Sequence, residues 1–412
     1  MANTLKIVFV ASGDPRLDSF KNIDSGGTGP IWRLASEFAE RGHDVTIYSS
    51  TYNEYGSWKE ANIDVIELPA INMSDKVDQV FHWIPPSRKV INFEQLSTTP
   101  GSMVERLLTR LLFSWRAANT ISEDDPDVVY LRDRISAFFS VKQDFSSIFT
   151  VASPDACDFY YESSVSRHPL NRVLFKYKKW IEKFDLRNAN SIVSINSGIK
   201  EYLESKGFNN IKIITLGIDR EKFIDFTSRN EKPQVIYVGR FDGNKRPEWV
   251  LDAFKKIESD KFELHFIGSG PRQNMLERQT ENLREEKKVI FHGHLPRQKV
   301  LDHMREAAVL VLPSEFESCS NVIIEAMASG CPVIASNTMG ANELLIDGKT
   351  GILFKKNDKN TLRKELNRLL QNKEKREILA QEAYEYALEH HTTSVIANKY
   401  LEVGRRAIER SD

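Results

Sequence analysis

Short apolar runs alternate, along almost the whole chain, with longer segments whose apolar residues recur every three or four positions. In the first half the apolar runs fall at 5–12, 44–50, 63–69, 127–131, 148–152, 191–196 and 211–216. Most are continuously apolar rather than alternating, as parallel strands covered on both faces must be. Residues 31–42 carry apolar positions at helical spacing and stop at Gly42, a suitable helix C-cap. Strand, helix and strand in repetition predict an α/β fold built on a doubly wound sheet.

The rhythm pauses at the polar stretch 225–233, which ends in Pro233 and marks the expected domain boundary. A second series of strand-like runs follows at 234–239, 263–268, 289–292, 309–313, 332–336 and 351–354. Helices are expected between them, notably at 247–257 and 321–329. From about residue 360 the chain is helical, charged and poor in glycine. The expected organisation is an N-terminal domain over 1–222 and a C-terminal domain over 234–393. A last helix at about 394–412 is expected to pack back onto the first domain. Both domains are expected to be Rossmann-like and to face a cleft. Ligands of such sheets bind beyond the carboxyl ends of the strands, so the strand–helix loops are the places to search for chemistry.

Composition narrows the class. A length of 412 residues suits two or three domains, and 41% apolar with 28% charged residues suits a soluble globular protein. The 57 basic and 58 acidic residues nearly cancel, so no global basic excess points to nucleic acid. Any anionic partner has to be met by a local cluster. Cys157, Cys319 and Cys331 have neither metal-site nor disulfide-framework spacing, which makes a reducing, cytoplasmic setting the expectation. The N-terminus runs into a strand-length apolar segment without a basic leader, so no signal peptide is expected. No uncharged apolar run approaches ~18 residues, the length of a membrane span.

Four strand-to-helix loops have unusual composition. Ser25-Gly26-Gly27-Thr28-Gly29-Pro30 offers glycines that let backbone N–H groups approach a phosphate, followed by a helix start. It is not a Walker A loop, and a surface turn would look the same. Residues 239–247 follow a strong strand and hold Arg240, Lys245 and Arg246, three cations suited to a diphosphate or to a solvated turn. Ile267-Gly268-Ser269-Gly270 superficially resembles a dinucleotide fingerprint, but Gln273 stands where the third glycine belongs, and a tight strand exit explains the pair. The fourth loop, 312–336, reads as strand, loop, helix and strand. Ser318 or Ser320 is placed to cap that helix. Glu317 precedes the helix; Glu325 follows eight residues later amid Val322, Ile323, Ile324, Ala326 and Met327. A carboxylate in such an apolar segment is costly to bury unpaired, so it calls for a ligand or a partner. Asp125-x-Asp127 is read as a turn before a strand, not as a metal motif.

The spacing of Glu317 and Glu325 resembles the Glu-x7-Glu signature of retaining GT-B glycosyltransferases, specifically glycosyltransferase family 4. Gly239-Arg240-Phe241 with Lys245 is similar to that family's phosphate-binding element. Gly26-Gly27 with Leu34-Ala35 and residues 41–46 resembles its N-terminal loop and helix. Leu216-Gly217-Ile218-Asp219 with Phe223 resembles its pre-linker element, with Leu216 in place of the usual Asn. Gly340, Glu343-Leu344 and residues 347–351 complete the pattern, which is strongest from about 235 to 355.

The resemblance implies a retaining transfer from a nucleotide diphosphate sugar, UDP- or GDP-linked, to a hydroxyl acceptor, in surface glycan or polysaccharide biosynthesis. It implies no required cofactor and no metal. Glu325 would hold the ribose hydroxyls and Glu317 the donor sugar. Arg240 and Lys245 would neutralise the leaving diphosphate, assisted by the N–H groups around Ser320, Asn321 and Val322. Gly26 and Gly27 would approach from the other domain, and the strand end His292-Gly293-His294-Leu295, with His294 and Leu295 foremost, would flank the base. The chain departs from the family where a histidine often follows the strand ending at Ala152, having Ser153-Pro154-Asp155 instead. Asp155 is the expected substitute; Asp158, Arg132 and Asp133 are the alternatives on the acceptor side. That departure leaves open a non-catalytic nucleotide-sugar-binding subunit, and the shared fold leaves open a nucleotide-sugar epimerase.

Two basic amphipathic stretches, 106–116 and 167–187, fit either core-packing helices or peripheral contact with an anionic inner membrane face that presents a glycan or lipid-linked acceptor.

Overall fold

The continuously apolar runs do form buried parallel strands. The computed structural model describes residues 4–11, 29–51, 56–69, 100–132, 137–140, 145–152, 169–226, 231–257, 261–281 and 289–410. The chain divides into two compact units, Met1–Ile214 with Ala397–Asp412, and Thr215–Ile396.

The first unit is built on an eight-stranded sheet. Its strands are β1 (Lys6–Ala11), β2 (Asp44–Thr51), β3 (Gly56–Glu60), β4 (Ile63–Pro69), β5 (Val128–Leu131), β6 (Ser146–Val151), β7 (Ser191–Ser194) and β8 (Ile211–Ile213). The order is β3-β4-β2-β1-β5-β6-β7-β8. All pairs are parallel except β3 with β4. The strand β3 was not expected from sequence. Its residues Gly-Ser-Trp-Lys-Glu carry no apolar run, because an edge strand pairs on one side only and needs no two-sided burial. The helices are α1 (Gly29–Glu40), α2 (Pro100–Asp124), α3 (Pro169–Asn188) and α4 (Ser197–Ser205). Asp127 of the Asp-x-Asp pair accepts the Lys6 backbone N–H at 2.6 Å, tying the entry of β5 to β1. That is the turn role expected of it.

The second unit carries six parallel strands. They are β9 (Gln234–Val238), β10 (Glu263–Ile267), β11 (Val289–Gly293), β12 (Val309–Leu312), β13 (Val333–Ser336) and β14 (Ile352–Phe354), in the order β11-β10-β9-β12-β13-β14. Helices α5 (Pro247–Phe254), α6 (Gln273–Gln279), α7 (Arg297–Glu306), α8 (Asn321–Ala328), α9 (Met339–Leu344), α10 (Lys359–Gln371) and α11 (Lys373–His390) cover it. Alternation along β9 sorts the core into two layers. Ile236 joins Leu301, Met304, Ile323 and Met327 under α7 and α8. Val235 and Tyr237 join Val250, Phe254, Leu362 and Leu366 under α5 and α10. Both faces are therefore buried, as the sequence pattern requires.

The last helix, α12 (Thr393–Ile408), begins in the second unit and ends in the first. At its start, Ile218 bonds to both neighbours of Thr392: its N–H donates to the His391 carbonyl at 2.8 Å, and its carbonyl accepts from Thr393 at 3.0 Å. The Thr393 hydroxyl donates to Asp219 at 2.7 Å. The Gly-Ile-Asp element noted in the sequence is thus a splice that anchors α12. Further along, the Tyr130 hydroxyl donates to the Tyr400 carbonyl at 2.9 Å inside the first unit. Burial pushes both tyrosines' phenols up, so both stay protonated and Tyr130 keeps its donor.

Candidate functional site

In the second unit the strand order reverses direction between β9 and β12. At such a switch point the loops leaving the two central strands diverge and open a crevice for a ligand. Here those loops are residues 239–246 and 313–320, two of the stretches singled out by composition.

The loops are clasped together by backbone and amide bonds. Asn244 donates its side-chain N–H to the Phe316 carbonyl and accepts the Phe316 N–H, each at 3.0 Å. The Glu315 N–H donates to the Asn244 carbonyl at 2.7 Å. Asp242 holds the turn by accepting the N–H groups of Asn244 and Lys245 at 3.0 and 2.9 Å. This clasp sets Lys245 against Glu317, and their side chains form an ion pair. Arg246 pairs with Glu315 at 2.6 Å in the same junction. Arg240 lies at the rim, two-thirds exposed, with its Nε 3.4 Å from Asp242. Beneath it the Tyr237 hydroxyl donates to the Arg240 carbonyl at 2.7 Å. Burial first, then the carboxylates of Asp242, Glu248 and Glu317, push that phenol well up, so the bond holds at any ordinary pH.

Residues 268–270 wedge against the first loop. Gly268 has φ of +131° and its absent Cβ would lie 2.0 Å from the Gly239 carbonyl oxygen. The Phe241 N–H donates to the Ser269 carbonyl at 2.9 Å. The glycine pair is therefore a packing requirement, the tight strand exit read from the sequence. On the other flank the Gly340 N–H donates to the Glu317 carbonyl at 2.8 Å, which fixes the backbone of that acid.

Ser320 is the N-cap residue of α8, but its hydroxyl accepts no bond from the helix. The side-chain cap expected of Ser320 is therefore not formed, and its carbonyl accepts the N–H groups of Ile323 and Ile324 at 3.2 and 3.4 Å. The first-turn residues Asn321 and Val322 are half-buried at the mouth of the crevice. Glu325 is buried one turn further on, and its carboxylate meets Arg297 of α7 at 2.6 Å. Arg297 was not anticipated. The signal was indirect: an acid inside an apolar helix demands a cation, but the sequence offers many, and only the neighbouring position of α7 selects this one. After β11, His294 is exposed and Leu295 packs against the apolar layer under α7 and α8. Gly26, Gly27, Asp155, Asp158 and Asp133 lie outside the described residues, while Arg132 is half-buried just after β5. Cys319 and Cys331 are reduced thiols, and Cys157 lies outside the described residues.

The ends of β9 and β12 thus bring Lys245 to Glu317 and lead into α8, whose Glu325 meets Arg297. Cations and N–H groups suit a diphosphate, and carboxylates suit vicinal hydroxyls.

Comparison with known proteins agrees with this fold. Residues 219–386 match the family model described as Glycosyl transferases group 1, and residues 30–222 match Glycosyltransferase Family 4. The chain is 30% identical over 213 residues to an uncharacterized glycosyltransferase of Methanocaldococcus jannaschii, a match spanning 51% of this chain and 58% of that one. The chain spans about half the length of several curated relatives it matches. Among solved structures it is similar to sucrose-phosphate synthase from Thermosynechococcus elongatus, with a TM-score of 0.73 and 20% identity over 98% of this chain and 99% of that one. It is also similar to the Anabaena protein HepE in complex with UDP and glucose, with a TM-score of 0.65 and 16% identity over 97% and 99% of the two chains. The fold is GT-B, with two Rossmann-like domains.

Proposed function

From a GT-B chain whose two parts match two glycosyltransferase family models, we propose a retaining glycosyltransferase that moves a sugar from a nucleotide diphosphate sugar to a hydroxyl acceptor in glycan biosynthesis. The observation that carries this reading is the meeting of Lys245 and Glu317 at the β9/β12 switch point, beside the N-terminus of α8.

The chemistry follows from where charge develops. As the glycosidic bond to the diphosphate breaks, negative charge grows on the leaving oxygens. The Lys245 ammonium, the Arg240 guanidinium and the first-turn N–H groups of α8 stabilise it from fixed positions, without reorganisation during the step. From the rim, the Arg240 guanidinium can fork two phosphate oxygens. Glu317, held by Gly340 through its backbone, accepts hydroxyls of the donor sugar. Glu325 accepts the ribose hydroxyls and is oriented by Arg297. His294 and Leu295 flank the base. Retention fits attack from the face that the diphosphate leaves, with a diphosphate oxygen taking the acceptor proton. The complex of HepE with UDP and glucose supports UDP as one donor nucleotide.

The helices α2 and α3 support an acceptor at a lipid surface. They carry the exposed Trp115, Tyr177 and Trp180, and Tyr177 stacks on Trp180 at 5.7 Å. Lys176, Lys179 and Lys183 lie along the same helix. Aromatic rings flanked by lysines suit an anionic headgroup layer. Among the described residues no helix is long and apolar enough to cross a membrane.

The deciding experiment assays transfer from a panel of UDP- and GDP-sugars with Lys245→Ala and Glu325→Ala. Loss of turnover in both supports the assignment; wild-type rates in both, with the donor the native chain uses, would sink it.

A further inference from the structure

On the layer of the second unit that faces α7, three histidines from three elements converge: His265 of β10, His292 of β11 and His303 of α7. One ring nitrogen of each lies within 4.8 Å of the other two. The His265 and His292 rings stack with centroids 5.1 Å apart, and His292 and His303 approach to 4.5 Å. The donor contacts proposed above are assigned to neither His265 nor His303, and His292 turns its ring toward these two.

Ring orientation turns one nitrogen of each histidine toward the others. His265 Nε2 sits 3.3 Å from the Glu263 carboxylate, and its Nδ1 faces His292 Nε2 at 3.0 Å. A carboxylate that accepts the Nε2–H fixes the tautomer and leaves Nδ1 with its lone pair, the arrangement in which a metal-bound imidazole is commonly held; His292 Nε2–H then donates to that Nδ1, and a metal ion would take its place after His292 shifts its proton to Nδ1. His303 Nδ1 is buried and has no hydrogen-bond partner. Burial lowers the proton affinity of all three rings, that of His292 to about 4, so they are neutral near pH 7. The nearby cation Lys232 is paired with Glu306 at 2.7 Å, and Asp302 faces Arg305 at 3.3 Å and Lys299 at 4.0 Å. These three cations face two acids, and Glu263 beside His265 supplies the third carboxylate.

We propose that His265, His292 and His303 bind one zinc ion, with Glu263 as the positioning carboxylate behind His265. Neutral imidazole is a ligand that zinc takes readily, and three of them leave a fourth position for water. Tetrahedral ligation at 2.0–2.1 Å separates ligand nitrogens by about 3.3 Å. His265 and His292 are already near that spacing, and a side-chain rotation of His303 closes the remainder. The ion would staple β10 and β11 to the helix whose first residue, Arg297, holds Glu325. The site is independent of the transferase assignment, since it needs no donor and no turnover.

The test uses the untagged full chain, stripped with a chelator and titrated with zinc chloride against a chromophoric competitor. Expected are one zinc per chain, a raised thermal midpoint on loading, and a ligand-field absorption band when cobalt replaces zinc. Glu263→Gln is expected to weaken binding by about 10- to 100-fold. His303→Gln and His292→Asn, each checked for native circular dichroism, are expected to weaken it further and to abolish the cobalt band. Wild-type chain without one-to-one binding, or any folded histidine variant with undiminished affinity, overturns the site. If His292→Asn fails to fold, the His303 and Glu263 variants decide alone, since His303 is only partly buried and Glu263 is half-exposed.

Discussion

Lys245 and Glu317, separated by 72 residues in sequence, meet as an ion pair across the two loops that leave β9 and β12. The pair neutralises its own charge in the absence of ligand. Under the proposed function, a diphosphate would compete with Glu317 for the Lys245 ammonium.

That competition gives a split result. Glu317→Gln is expected to bind nucleoside diphosphate more tightly, by roughly 3- to 10-fold, because Lys245 loses a charged competitor. The same variant is expected to transfer sugar about 100-fold more slowly, because the donor loses a positioned acceptor. Calorimetric titration with UDP and GDP, beside steady-state assays, reads both numbers. Weaker diphosphate binding with unchanged turnover would refute the arrangement.

The Arg297–Glu325 pair makes a different demand. Both side chains are largely buried, so deleting one strands the other's charge. Arg297→Met is expected to cost about 3 kcal/mol of stability. Adding Glu325→Leu should restore much of that loss by replacing the pair with apolar contact. Nucleotide affinity should remain lost in the double variant, which separates the structural from the binding role of Glu325. Differential scanning calorimetry with and without nucleotide makes both comparisons.

Two glycines with positive φ should respond unequally to alanine. At Gly268 an added Cβ would meet the Gly239 carbonyl oxygen at 2.0 Å, so Gly268→Ala has to displace the loop that carries Arg240 and Lys245. At Gly42 an added Cβ would meet nothing within 4 Å, leaving only the cost of φ at +85°. Gly42→Ala should cost about 1 kcal/mol, and Gly268→Ala clearly more, with donor binding impaired as well. Thermal midpoints and nucleotide titrations of the two variants test the order.

His43 links stability to pH. It is buried, and its Nδ1 accepts the Leu5 N–H at 3.1 Å. Burial, with smaller contributions from Arg405 and Arg41, lowers its proton affinity below the ordinary value of 6.5. Between the folded and unfolded values the unfolded chain binds more protons, so this contribution is fully present above about pH 6.5 and falls away as the solution is acidified. His43→Gln should therefore lower the melting temperature more at pH 8 than at pH 5. An equal or larger drop at pH 5 would show that the ring is not held neutral.

The sheets were legible because two-sided burial writes itself as continuous apolar runs. Val128–Leu131 and Val309–Leu312 are such runs, with every residue buried. The edge strand Gly56–Glu60 escaped because its polar residues satisfy one neighbour only. The acids of the site were legible too, since a carboxylate inside Val322–Met327 stands out against its surroundings. Their partners were not equally so. Lys245 lies in a conspicuously basic loop, but its contact with Glu317 depends on the Asn244 clasp, which no local pattern announces. Arg297 and the three histidines belong to elements that only the strand order brings side by side. Sequence periodicity specifies which face of an element is buried, and the neighbour across that face is a property of topology.

Because α12 returns Ala397–Asp412 to the first unit, that unit is assembled from both ends of the chain. During synthesis, the Tyr130 hydroxyl waits for a carbonyl made 270 positions later. The second unit, continuous in sequence, has every residue it needs while the first still lacks a helix. The order of emergence from the ribosome is thus inverted at completion: the part begun first is the part finished last.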